Sequence, residues 1–175
     1  MSVHTAYLKG SKAVINNIDK QGRIGNYDEK TRTLTLSPLE TLYLAEKGKI
    51  CVKDQRGKEY AFEELIRYFS KYDKAIFPKY LIFRDLMDRG YHVVNGYGGD
   101  IDLLVFDRGD YPDKPAKFRI IGIDEGRPIK IVRLMQELMN TLMSKKELKI
   151  ALIERRGEII YYTVSLLKGG KINGD

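Results

Sequence analysis

A chain of 175 residues is long enough to bury a substantial core, as one domain or as two small ones. With 43% hydrophobic and 31% charged residues it has the balance of an ordinary globular protein, which excludes a disordered chain. The formal net charge of +7 is spread over 13 basic and 10 acidic side chains in residues 1–73 and 18 and 14 in residues 74–175, so there is no basic tail; an excess of this kind favours a polyanionic partner, because Lys and Arg on phosphates release counterions.

In chain order, KTRTLTLS alternates polar and apolar residues as a half-buried strand does. It runs into SPLETLYLAEKG, which carries every mark of a helix: Ser37 to cap, Pro38 at the first helical position, Glu40 to close a capping box and Gly48 to end it. KICVKDQRGKEYAF reads as a hairpin about Gln55, Arg56 and Gly57, and FEELIRYFSKYD as a second helix. A charged segment, KYDKAIFPKY, then divides residues 1–73 from residues 74–175. Beyond it the pattern predicts helix YLIFRDLMDRG, stopping at Gly90, strands YHVVNG and DIDLLVF, and a loop rich in Pro and Asp. Strand KFRIIGI, helix PIKIVRLMQELMNTLMSK and strands KELKIALIE and EIIYYTVSL about Arg155, Arg156 and Gly157 complete the chain. The fold class is therefore mixed α/β: a small N-terminal α/β domain, then a mixed sheet flanked by helices.

Several chemistries can be set aside. There is no Walker loop, no glycine-rich dinucleotide fingerprint and no serine nucleophile elbow. NGYGGD joins two strands and opens no helix, so it reads as a strained hairpin turn and not as a phosphate cradle. Cys51 is the one cysteine and reads as a small buried hydrophobe. His4 and His92 are the two histidines, with no second His or Cys spaced to share a metal. A two-carboxylate nuclease site needs an Asp on one strand and an acid-x-Lys on the next. Asp102 and Asp124 lie on neighbouring predicted strands, but the tripeptides from Asp124 and Glu125 are Asp-Glu-Gly and Glu-Gly-Arg, without the lysine. No cofactor is expected. Apolar runs are too short to span a bilayer and MSVHTAYLKG lacks a signal peptide's apolar centre, so a cytoplasmic protein with no membrane partner is expected.

Three segments, in order, carry a resemblance: LSPLETLYLAEKGKI, then YLIFRDLMDRGYHVVNGYGGDIDLLVFDRGDYP, then IVRLMQELMNTLMSKKELKIALIERRGEIIYYTV. Together they make the chain resemble the archaeal tRNA-splicing endonuclease family over nearly its whole length, which implies a restriction-endonuclease-like C-terminal domain. The resemblance implies metal-free cutting of precursor RNA at bulges flanking an intron, leaving a 2′,3′-cyclic phosphate and a 5′-hydroxyl. That chemistry needs a base for the 2′-hydroxyl, an acid for the leaving 5′-oxygen and a cation for the phosphorane.

In catalytic members these are a Tyr, a His and a Lys. The tyrosine's position falls here on Phe106 and the histidine's on Pro115, or on Ala116 if the loop shifts by one; the lysine's falls on Lys146, with Lys145 beside it. Phe106 has no ionisable oxygen, and no histidine follows His92 in the chain. Tyr111, five residues past Phe106, is a stand-in base without an acid. Lys146 and Lys145 are candidates to touch RNA, or solvated residues ahead of a strand. The family's base-sandwiching arginine falls near Met139.

The resemblance thus implies a structural subunit, two copies assembling with two of a catalytic paralogue. EIIYYTVSL, nearly continuously apolar, reads as a strand covered on both faces, able to pair with a partner's edge or to lie inside the sheet. Tyr161 and Tyr162 belong to that candidate interface. In the family an acidic turn follows the preceding strand and inserts into the opposite subunit. Here Glu154 and Glu158 keep its acids while Arg155 and Arg156 occupy its middle, so a solvated hairpin turn is an equal reading. The rival from the enzyme class is a self-sufficient RNA endonuclease using Lys146 with another base, or Asp102 and Asp124 with a metal.

Overall fold

The computed structural model describes residues 3–19, 22–98, 101–124 and 129–166, with the backbone alone of Asp124. It is a mixed α/β protein of two compact units, Met1–Gly90 and Tyr91–Asp175.

The first unit holds strands β1 (His4–Lys9), β2 (Lys12–Ile15), β3 (Asn26–Asp28) and β4 (Thr33–Leu36), helix α1 (Pro38–Glu46), strand β5 (Ile50–Lys53), and helices α2 (Phe62–Phe69) and α3 (Ile76–Asp88). Its sheet has the order β3-β4-β2-β1-β5, antiparallel except where β1 pairs with β5. Helix α1 starts as its sequence dictates: the Ser37 hydroxyl accepts from the Glu40 amide at 3.3 Å and the Glu40 carboxylate accepts from the Ser37 amide at 2.8 Å. Alternation places Ala6, Leu8, Ala13, Ile15, Leu34 and Leu36 in the core, where α1 packs with Leu39 and Leu42 buried.

Helix α3 begins at Ile76, four residues ahead of its predicted start. Pro78 is accommodated in the first turn, where a missing N–H leaves no intrahelical bond unmade. Its buried face carries Ile76, Tyr80, Phe83 and Leu86. On α1, Glu46 accepts from the Tyr80 hydroxyl at 2.6 Å and from Arg84 at 2.8 Å, tying the two helices. Composition divides the chain at the charged segment; packing groups α3 with α1 and α2 and closes the unit at Gly90.

Burial, and then the Glu46 carboxylate, push the Tyr80 hydroxyl far above the ordinary tyrosine range; burial followed by Asp88 pushes Tyr43 up to about 12. A group raised in the folded state stabilises the fold below its unfolded value, about 10 for tyrosine, and that contribution fades as pH rises above it. The denaturant midpoint is therefore expected to hold to about pH 9 and fall between roughly pH 10 and 12. A Tyr80→Phe variant that fell as steeply would assign the loss to other groups.

The second unit holds strands β6 (His92–Asn95), β7 (Asp102–Phe106) and β8 (Phe118–Asp124), helix α4 (Ile131–Met143), and strands β9 (Glu147–Ile153) and β10 (Ile159–Val164). The sheet order is β10-β9-β8-β7-β6, with the parallel β8–β9 pair joined through α4 and antiparallel pairs elsewhere. Leu134 and Leu138 of α4 pack over Ile121, Leu148 and Val164, which fixes the face of the sheet that α4 covers. The helix ends on Lys145 in the left-handed region (φ 56), with the Lys145 and Lys146 amides donating to the carbonyls of Leu142 and Thr141.

One sequence reading needs correction here. Strand β10 is not covered on both faces and is not internal: it is the edge of the sheet among the described residues. Alternation puts Ile160 and Tyr162 on the same face as Val164, and they are 39% and 51% exposed. An apolar run alone does not distinguish a doubly covered strand from an edge whose apolar side chains are left open.

Candidate functional site

Asp102, the first residue of β7, is 4% exposed and sits at the centre of a buried polar network. Its carboxylate accepts two bonds from the Arg119 guanidinium, at 3.0 and 2.9 Å, and one each from the amides of Tyr97 and Gly98, both at 3.0 Å. Arg119, directed beneath α4, also reaches Glu137 at 2.8 Å, and Thr141 at 3.4 Å. The carboxylate raises the affinity of Arg119 for its proton still further. Gly96, where the turn leaves β6, has no room for a Cβ, which would overlap the Asp102 carboxylate. Asp102 is thus the clasp of the NGYGGD turn, with its lone pairs committed to Arg119 and to backbone amides. The Asp124 side chain and Glu125 lie outside the described residues. Among the described residues no group of three or more His, Cys, Asp or Glu side chains could hold a metal ion.

The positions singled out for a base, an acid and a cation lie around one end of the second sheet, where β6, β8 and β9 begin and β7 ends. Phe106 closes β7, paired in register with His92 of β6. From the loop that follows, Tyr111 lays its ring flat on His92, with centroids 3.6 Å apart and planes at 12°. Phe106 meets both edge-on, at 5.9 Å from His92 and 5.0 Å from Tyr111. Pro115 is exposed and Ala116 is buried at 6%, so neither presents a titratable group. Lys146 donates its ammonium to the Ser144 carbonyl at 3.2 Å, neutralising the end of α4, and Lys145 is exposed in its strained turn.

The loop carrying Tyr111 is held by its own charges. Lys117 pairs with Asp107 at 3.0 Å and Lys114 with Asp110 at 2.7 Å. The Arg108 amide, then Lys117, hold the Asp107 carboxyl below the usual carboxylate range. On the opposite face of the same sheet end, Phe118 lies under two cations, Lys149 at 4.7 Å and Lys117 at 5.1 Å, while Arg108 stands 5.2 Å over Tyr91.

Sequence reasoning singled out Phe106 and Tyr111 but considered His92 only as a metal ligand without a second His or Cys to share the metal. The topology alone returns this histidine to Phe106; strand register is the signal, and no local motif encodes it. Chemically the pair is poorly disposed for strand cleavage. In-line displacement at phosphorus needs its base and acid on opposite sides of the phosphate. Rings 3.6 Å apart and nearly parallel leave no space for one between them.

The turn Glu154–Glu158 is solvated: Arg155, Arg156 and Glu158 are exposed, and the Gly157 amide closes it on the Glu154 carbonyl at 2.8 Å. Tyr161 is half-buried on the face away from α4, and Tyr162 is exposed beside it. The outer side of α4 adds Ile131, Val132, Met135, Met139, Leu142 and Met143, each between 43% and 80% exposed. Met139, where the resemblance asks for an arginine, thus lies within an open apolar stripe.

Comparison with known proteins gives these positions their context. Residues 4–66 match the model of the tRNA intron endonuclease N-terminal domain, and residues 76–161 that of the tRNA intron endonuclease catalytic C-terminal domain. A tRNA-splicing endonuclease of Methanococcus vannielii is 30% identical over 166 residues, covering 93% of this chain and 94% of that protein. One from Methanococcus maripaludis matches at the same identity and coverage, and one from Saccharolobus islandicus is 30% identical over 172 residues, covering 90% of this chain and 94% of its own length. With both domains matched in order and relatives aligned end to end, the chain belongs to the tRNA intron endonuclease family, whose activity is the cleavage of introns from precursor tRNA.

Proposed function

We propose that this chain is a non-catalytic, structural subunit of a tRNA-splicing endonuclease, with residues 1–73 as its N-terminal domain and residues 74–175 as a nuclease-like domain. It assembles two plus two with a catalytic paralogue, which supplies the base, acid and cation, and the assembly acts on precursor tRNA at bulge-helix-bulge sites. The observation that carries this reading is the aromatic cluster at the sheet end. Phe106 stands where a tyrosine would ionise, Pro115 where a histidine would protonate, and Tyr111 is stacked on His92 beside them.

Assembly has a physical basis in the open edge of β10 and the stripe on α4. Ile160 and Tyr162 flank an unpaired row of backbone groups on the face that α4 covers. Ile160 and Tyr162 of β10 and the outer stripe of α4 stand exposed among the described residues, and a paralogue's equivalent strand and helix would cover both.

The test is to incubate the purified chain with a bulge-helix-bulge RNA, with and without Mg²⁺, alone and after adding a paralogue that retains Tyr, His and Lys. Cleavage is expected in the mixture only. Cleavage by the chain alone would sink the structural reading, and dependence on Mg²⁺ would revive a carboxylate site.

A further inference from the structure

We propose that the tyrosine row Tyr60, Tyr68 and Tyr72 of the first unit, with the cations around it, is a contact site for a single strand of RNA. The site is argued from its own rings and charges; family membership enters only in choosing RNA over DNA, and the subunit reading does not enter at all.

Helix α2 and the turns beside it hold the row in place. The Tyr68 ring meets that of buried Phe69 edge-on at 5.3 Å, and its hydroxyl donates to the Gly10 carbonyl at 2.8 Å, so its position is fixed at both ends. Tyr60 and Tyr72 lean on this ring, with centroids 5.9 and 5.8 Å away. Tyr72 is 55% exposed, so a ring supported by Tyr68 still offers open surface to a ligand. Its backbone is anchored as well: the Tyr72 amide donates to the Phe69 carbonyl at 2.9 Å, and the next residue, Asp73, pairs with Lys79 at 2.6 Å. A base that stacks on a ring so supported does not first have to order it.

The cations stand on the same rings. The Lys58 ammonium lies 4.7 Å from the centre of the Tyr60 ring and that of Lys71 5.7 Å from the centre of the Tyr68 ring. Two turns bring further positive charge to this corner. The Tyr68–Gly10 bond ties the β1–β2 turn to the row, and the Gln55 side-chain amide donates to the Leu8 carbonyl at 3.3 Å, which holds the Gln55–Gly57 turn beside it. Those turns carry Lys9, Lys12 and Arg56, exposed like Lys71, and among the described residues none of the four forms an ion pair. The neighbouring acids are engaged: Glu64 pairs with Lys58 at 2.8 Å, and Asp54 accepts from the amides of Arg56 and Lys58 at 2.8 and 3.0 Å. Glu63 lies in the first turn of α2, whereas Tyr72 follows the last.

This chemistry selects the occupant. Unpaired ammonium and guanidinium groups suit a polyanion, and an open ring suits a planar group. An acidic peptide meets the first demand but not the second, and a duplex offers phosphates while keeping its bases stacked within. A single strand meets both, with a base on Tyr72 and phosphates on Lys71 and the two turns, and it is accepted whatever its sequence because every base has a π-face.

Binding of fluorescently labelled decauridylate to the full chain is measured by anisotropy at about 50 mM salt, with a labelled RNA duplex and a labelled decaglutamate peptide as competing occupants. The wild type is expected to bind decauridylate more tightly than either, and to weaken as salt is raised. Tyr72→Ala is expected to weaken binding about tenfold, within the range seen when one stacked base loses its ring, while Tyr72→Phe binds as the wild type does. Lys71→Gln is expected to lower the slope of log affinity against log salt by roughly 0.7–1, the loss of one phosphate contact. Tyr97→Ala, which removes an aromatic 71% exposed on the second unit, is expected to bind as the wild type does. Thermal melts of each variant are run alongside, with binding measured well below the lowest midpoint. No binding by the wild type, undiminished binding by folded Tyr72→Ala, an equal loss in Tyr72→Phe or Tyr97→Ala, an unchanged salt slope in Lys71→Gln, or equal affinity for duplex or decaglutamate would each overturn the site. The chain is tested alone, so failure here leaves the subunit reading standing, and a chain that binds through Tyr72 yet cleaves unaided refutes only the subunit reading.

Discussion

Replacing Arg119 by alanine is expected to destabilise the second unit by about 3–5 kcal/mol, the cost of breaking a buried ion pair from one side. The Arg119 side chain is 8% exposed and that of Asp102 4%, so neither ion has water to fall back on. Removing the guanidinium strands the Asp102 carboxylate with two backbone amides as its remaining donors, and it frees Glu137 and Thr141 on α4. Arg119→Lys keeps the charge but not the fork that bonds Asp102 twice, so it is expected to fall between alanine and the wild type. Denaturant titration of all three chains reads this directly. An alanine variant within about 1 kcal/mol of the wild type would mean that water enters and solvates Asp102. The network sits below α4 while the aromatic cluster sits at the sheet end, so Arg119→Lys also tests whether the cluster keeps its shape when its foundation loosens.

Tyr162→Glu is expected to leave the chain folded and to weaken its association with a catalytic paralogue by about 30-fold or more, the effect of losing an aromatic anchor from an interface. Tyr162 is 51% exposed at the edge of the sheet, so its loss costs the isolated chain little. A carboxylate there meets a partner's apolar strand and must be desolvated without a counter-charge. Arg156→Ala, on the solvated turn, is expected to change association much less, as rim charges do. Sedimentation velocity of each variant mixed with the paralogue separates the two effects. Normal assembly by folded Tyr162→Glu would place the interface elsewhere.

Local chemistry made some elements legible in the sequence. Ser37, Pro38 and Glu40 specify the start of α1 within four residues, and the bonds they predict are the bonds that form. The Asp102 hairpin was legible for the same reason, since a carboxylate just after a glycine-rich turn has backbone amides within reach. What could not be read is what depends on register between distant strands. His92 and Phe106 are 14 positions apart and become neighbours only through the β6–β7 pairing. Arg119 reads as the polar residue of an alternating strand, and only α4 crossing above turns it inward. The edge position of β10 and the exposure of the α4 stripe were hidden for a related reason: periodicity reports that a face is apolar, not that something covers it.

The open edge of β10 bears on the life of the chain before any RNA is met. A strand with no neighbour on one side among the described residues, beside an exposed apolar helix, is a template for whatever strand arrives first, whether the proposed partner, a second copy or a misfolded neighbour. Supply is then as decisive as affinity. On the subunit reading, a cell making this chain in excess of its partner would hold an edge without its match, so balanced synthesis of the two chains would itself be a condition of the fold's persistence.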